Sequence, residues 1–335
     1  MNPALLLARV LRDPGAIGGL DASDWNALWA VARAEQLAGT LAHRIAGLPM
    51  PHAAARLVED AIASAEQGRT AALWEAEMAR RALAGIEAPV VLLKGTAYAA
   101  AGLSPSTGRV IGDLDILVPR DAIEDVEAAL LAAGWEWVKP DPYDDAYYRR
   151  WMHELPPLIH RDRDKMIDVH HTILPLTARI RPDAAALLAD SMALENGLRI
   201  LAPQDMLCHA AAHLFADGDL AGGMRNLWDI HCLLGEFGFE GLAARAAQHG
   251  LGAAMAQAVR QSVRLYGTDA PAEWQGWDAL DPLFHRRLTA RDTWGRSTRK
   301  AVQLGFYLRS HALRMPPTML ARHLWTKWRK GHRPA

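Results

Sequence analysis

Apolar positions recur at helical spacing over the first 85 residues. Between Asp24 and Arg44 they fall at Trp25, Leu28, Trp29, Ala32 and Leu37, with Ser23 or Asp24 placed to cap the start. Pro49-Met50-Pro51 interrupts the pattern, and an Ala- and Glu-rich run over 52–84 predicts a long helix. From Ile86 the period changes. Residues 88–93 form a short β-branched run and predict a buried strand, followed by a short helix over 96–101. The Gly-, Ser- and Pro-rich run 102–108 reads as a mobile loop. A second strand is expected over 113–118, and a helix over 122–133 opened by Pro119 and closed by Gly134. Residues 135–138 predict a third strand, and 155–160 with 166–170 flank the polar turn 161–165 as a hairpin would. After Pro175 the pattern is helical again, over 203–215, 224–234 and 243–266, and residues 284–328 interleave cations with apolar and aromatic side chains.

This succession predicts an α+β protein. Its parts would be an N-terminal helical region (1–85), a core with a small mixed sheet (86–175), a helical bundle (176–282) and a basic amphipathic C-terminal segment (283–335). Composition changes the picture little, since 50% apolar and 22% charged residues are ordinary for a globular protein. The two cysteines, Cys208 and Cys232, exclude a disulfide framework. The N-terminus shows no charged-then-apolar leader and no apolar run approaches bilayer length, so a cytoplasmic protein without a transmembrane segment is expected. Charge is uneven. Residues 281–335 hold 13 Lys and Arg against 2 acids, and the preceding 280 hold 24 against 36. Such asymmetry suits an acidic partner, whether nucleic acid, an anionic membrane surface or the protein's own acidic body, reached through residues 285–333.

The chemistry concentrates in residues 90–118. Asp113 and Asp115 are two apart on a predicted strand, so their carboxylates would share one face while Leu114, Ile116 and Val118 turn to the core. Anions held that close repel unless a cation sits between them, and Mg²⁺, or Mn²⁺ in its place, prefers oxygen ligands. Asp168 offers a third carboxylate from another strand of the same sheet. Gly95-Thr96, just past the first strand, offers bare amides and a hydroxyl suited to phosphate. Lys94 and Arg109 are candidate phosphate contacts, or else partners of the carboxylates. His170 shares Asp168's face and reads as a hydrogen-bonding neighbour of the site. His209 and His213, one helical turn apart, have Cys208, Asp229, His231 and Cys232 near them in the chain. A zinc site is one reading of that set. Packing, with His213 bonded to Asp229 across two helices, is the preferred one. Arg225 either lines a nucleotide cleft or makes an ordinary ion pair.

Gly95-Thr96, the strand Asp113-Leu114-Asp115-Ile116-Leu117-Val118 and the later Asp168 resemble the DNA polymerase β-type nucleotidyltransferase superfamily. More narrowly, the layout is similar to a little-characterised bacterial nucleotidyltransferase family. That likeness rests on Leu93-Lys94-Gly95, on Arg109 before the G-D-x-D strand, and on Asp168-Val169-His170. It extends to Pro203-x-Asp205 with His209 and His213, and to Trp228-Asp229-Ile230, so that it covers about residues 25–235. The resemblance implies a nucleotidyltransferase core and transfer of NMP from an NTP to an acceptor hydroxyl, with pyrophosphate leaving. The acceptor would be a small molecule, a glycan precursor, a peptide or a protein. Asp113 and Asp115 would bind the metal ions, Asp168 would serve the metal beside the nucleophile, and the amides of Gly95 and Thr96 would hold the β- and γ-phosphates. Thr96 departs from the usual Gly or Ser, and the span from Gly95 to Asp113 is long for the superfamily. Two other functions remain open on the sequence: a catalytically silent nucleotide-sensing or partner-binding module of this fold, and a nucleic-acid or membrane-surface binder working through the basic C-terminus.

Overall fold

The computed structural model describes residues 1–138, 141–316, 319–321 and 325. Seven short strands form one mixed sheet: β1 (Val91–Leu92), β2 (Leu114–Leu117), β3 (Trp135–Trp137), β4 (Leu158–His160), β5 (Met166–His170), β6 (Met192–Ala193) and β7 (Arg199–Ile200). Their order is β3-β4-β5-β2-β1-β7-β6, with β2 parallel to β5, β1 parallel to β7 and the other neighbours antiparallel. All four residues of β2 are buried, so this strand is covered on both faces.

Helices surround the sheet. The 31-residue helix His52–Ala82 packs on Ala38–Ile45, on Lys94–Ala100 and on Ile123–Ala132. On the other side of the chain, Pro203–Ala211, Gly223–Phe237 and Gly252–Tyr266 pack against one another. One continuous set of buried apolar side chains runs from Ala4 through the strands to Phe306. This is the α+β architecture the alternation of periods predicts. Among the described residues no helix is long and apolar enough to cross a membrane.

Several local expectations need correction. The helix expected across 24–44 is two helices, Ala22–Ala34 and Ala38–Ile45, because Gln36 takes a left-handed conformation with φ 56°. Its cap is Asp21, whose carboxylate accepts from Asp24 N–H at 2.8 Å, and not Ser23 or Asp24. Strands β6 and β7 lie in a stretch that reads as helical. A helix that the pattern does not announce spans Pro142–Trp151. The run 102–108, mobile by composition, is tied down in the fold. Thr40 donates to Thr107 O at 3.0 Å, Ser104 N–H to Glu236 at 2.5 Å, and Arg225 to Pro105 O at 3.3 Å. A Cβ on Gly39 would lie 2.4 Å from Gly108 O, so that crossing requires glycine.

Candidate functional site: three aspartates beside a cationic cavity

The site is built by the β2–β5 pairing. Its register sets Asp115 directly opposite Asp168, and Asp113 lies one residue ahead of β2. One oxygen from each of Asp113, Asp115 and Asp168 lies within 4.8 Å of the other two. Asp113 is exposed, Asp168 half-buried and Asp115 only 3% exposed.

Electrostatics separates the three. Asp115 Oδ1 accepts from Lys94 Nζ at 2.7 Å and meets His170 Nε2 at 3.0 Å. Burial alone would raise the Asp115 pKa, but Lys94 and His170 outweigh it and hold the group well below the usual carboxylate range. Lys94 shows the converse. Burial works against its charge, yet Asp115, Asp113 and Glu154 together raise it above an ordinary lysine. Among the described residues no lysine or arginine pairs with Asp168. Burial first, then the charges of Asp115 and Glu154, push it up to about 7, with His170 opposing. Three acids that cannot all ionise comfortably unaided suit a divalent cation, and all-oxygen donors suit Mg²⁺.

Lys94 begins the helix Lys94–Ala100 with φ 48°, immediately after Leu93 N–H pairs with Asp115 O at 3.0 Å. Gly95 and Thr96 are buried in that first turn, whose amides have no intrahelical acceptor. A Cβ on Gly95 would stand 2.5 Å from Arg109 Nε and 3.1 Å from its Cδ. Gly95→Ala must therefore displace Arg109, and we expect it to lower stability by about 1–3 kcal/mol in a denaturant titration. An unchanged midpoint would mean that Arg109 yields freely.

Arg109 does not pair with the aspartate set. Its Nη1 bonds Asp229, and its guanidinium carbon lies 5.8 Å from the centre of the Tyr98 ring. Arg225 bonds the same carboxylate and donates to Thr40 Oγ1 at 2.6 Å. Asp229 is thereby occupied, and the expected His213–Asp229 hydrogen bond is absent. His231 meets Thr268 at 2.8 Å instead. Among the described residues, the His209, His213 and cysteine set does not converge to metal-ligand distance. His209 and His213 instead line a cavity of about 320 Å³ together with Lys94, Tyr98, Arg109, Asp113, Arg225 and Asp229. The π-helix Ala212–Asp217 carries His213 into it. A larger cavity of about 760 Å³ lies among the first helices and Trp294 and is lined by none of the three aspartates, so it is set apart from this chemistry.

Glu154 and His153 are absent from the sequence reading. Glu154 Oε2 lies 3.3 Å from His170 Nδ1, on the far side of that ring from Asp115. The only hint was a His-Glu dipeptide ahead of a predicted strand. The basic segment, for its part, docks on the body as far as it is described. Arg291 donates to buried Glu35 at 2.6 Å, Arg314 to Asp217 at 2.5 Å and Arg309 to Phe215 O at 2.6 Å. Of the terminal aromatic-cationic run 325–330, all but Trp325 lies outside the described residues.

An α+β fold carrying a small mixed sheet among helices is consistent with a nucleotidyltransferase. Residues 21–267 match the family described as uncharacterised nucleotidyltransferase, and the chain belongs to that family. No curated protein matches the chain. Membership carries the general role of nucleotidyl transfer.

Proposed function

We propose that the protein is a divalent-metal-dependent nucleotidyltransferase that moves NMP from an NTP to an acceptor hydroxyl. The observation that carries this reading is the meeting of Asp113, Asp115 and Asp168 within 4.8 Å, with Asp113 lining a cavity walled by Lys94, Arg109 and Arg225. In the reaction the acceptor oxygen bonds to the α-phosphorus, the bond to the bridging oxygen breaks, and pyrophosphate leaves. Asp113, Asp115 and Asp168 would hold Mg²⁺ or Mn²⁺, which when bound supplies charge neutralisation and a more acidic acceptor hydroxyl.

The protein's own residues do the rest. Asp115 is fixed through Oδ1 by Lys94 and His170, leaving Oδ2 for a cation. Asp168, the carboxylate beside the metal nearest the acceptor, would draw off the acceptor's proton. The amides of Gly95 and Thr96 and the ammonium of Lys94 face the β- and γ-phosphates, and Arg109 adds positive charge from the cavity wall. The acceptor is a small molecule, a glycan precursor, a peptide or a protein.

The test is Mg²⁺-dependent pyrophosphate release and its pH profile. Because the folded pKa of Asp168 is raised above the unfolded 3.8, its contribution to stability is present below pH 3.8 and lost as pH rises through about 7 in metal-free protein. At low pH Asp168 would have to give up that proton before it could hold a metal. Apparent Mg²⁺ affinity should therefore be about tenfold weaker at pH 6 than at pH 8. Asp168→Asn should abolish both the pyrophosphate release and this pH dependence of the Mg²⁺-induced rise in melting temperature. A wild-type protein whose melting is indifferent to Mg²⁺ and NTP at every pH would refute the reading.

A further inference from the structure

A second cluster lies on the other side of His170, and nucleotidyl transfer as derived above uses only His170 of it. Residues 152–155 run antiparallel along the end of β5. Leu155 N–H donates to Val169 O at 2.9 Å and His171 N–H to His153 O at 2.8 Å, which sets Glu154 opposite His170. One ligand atom from each of His153, Glu154 and His170 lies within 4.8 Å of the other two. Glu154 Oε2 is 3.3 Å from His170 Nδ1 and 3.6 Å from His153 Nε2.

Those separations are long for hydrogen bonds, which settle near ~2.9 Å. They match the edge of a metal site, since a tetrahedral ion with bonds of ~2.1 Å holds its ligands ~3.4 Å apart. A further observation points the same way. His170 is engaged by Asp115 at Nε2, and a metal-bound histidine regularly donates its other ring N–H to a carboxylate. Two imidazoles and one carboxylate make a mixed nitrogen and oxygen set. Such a set favours zinc and similar borderline ions, whereas Mg²⁺ prefers the all-oxygen set of aspartates.

We propose that His153, Glu154 and His170 bind one zinc-type transition-metal ion, at a site distinct from the three aspartates and joined to them through the His170–Asp115 contact. The ion ties residues 152–155 to the end of β5 and fixes His170 with its Nε2 proton toward Asp115. Its role is positioning. The proposal stands independently of the nucleotidyl-transfer reading, because it concerns a separate ligand set.

Untagged full-length protein, stripped with chelator and desalted, would be titrated with Co²⁺ as an optical probe and with Zn²⁺ against a colorimetric chelator, in millimolar Mg²⁺. The expected result is one tightly held Co²⁺ or Zn²⁺ per chain, with the intense visible bands of low-coordinate Co²⁺. Asp168→Asn should retain that equivalent. Glu154→Gln, which keeps shape, and His153→Ala should each weaken binding by on the order of 100-fold. Melting curves of the metal-free variants check that they fold, and Glu154→Gln decides the matter should His153→Ala not fold. Failure of the wild type to retain Co²⁺ would overturn the proposal. So would retention unchanged in Glu154→Gln, or loss of the ion in Asp168→Asn, which would move it to the aspartates. Pyrophosphate release is no part of this readout, so the two proposals fail separately.

Discussion

Asp115→Asn is expected to lower Mg²⁺-dependent pyrophosphate release by on the order of 10³-fold, about 4 kcal/mol of transition-state stabilisation. The substitution keeps the shape of the side chain but removes the one charge that Lys94 and His170 both contact. It should also destabilise the fold, because a largely buried ammonium loses its nearest anion. That cost falls toward the low end of the ~3–5 kcal/mol seen when a buried pair is broken, since Asp113 and Glu154 also act on Lys94. Asp113→Asn separates the two effects. Asp113 is exposed, so its loss should remove turnover with little change in melting temperature. Turnover by Asp115→Asn within tenfold of wild type would remove Asp115 from the metal set.

What the sequence could say about this site depended on how local the determining interactions are. Asp113 and Asp115 are legible because a period of two is a property of a single strand. That Asp168 belongs with them needs the register of β2 on β5, a tertiary fact; the chain alone offers it as a carboxylate on another strand of the same sheet, and the order of the motifs agrees. Glu154 had no such pointer, since it reaches His170 through one isolated bridge and leaves no period in the chain. Strands β6 and β7, two residues each, are too short to print any pattern. The run 102–108 shows the opposite error. Its composition describes a loop correctly, but its order comes from Thr40, Arg225 and Glu236, all more than sixty residues away. The same holds on the cavity wall. The Arg225–Asp229 pair follows from helical i, i+4 spacing, whereas Arg109 joins it across 120 residues.

That wall carries the second large expectation. Asp229 is 3% exposed and serves two guanidiniums, Arg109 and the 2% exposed Arg225. Asp229→Asn leaves two largely buried cations without the carboxylate between them, and we expect a loss of about 3–5 kcal/mol in a denaturant titration. The effect should exceed that of removing one cation, because Arg225→Met leaves Asp229 still paired with Arg109. Anions provide a second readout. Once Asp229 is neutral, Arg109 and Arg225 lose the one carboxylate both of them bond at the cavity they line, so inorganic tripolyphosphate should raise the melting temperature of Asp229→Asn more than that of wild type. If instead the variant melts with wild type and gains nothing from tripolyphosphate, the two arginines are not held by this carboxylate. The cavity would then lose its claim to be a phosphate site poised by a buried ion network.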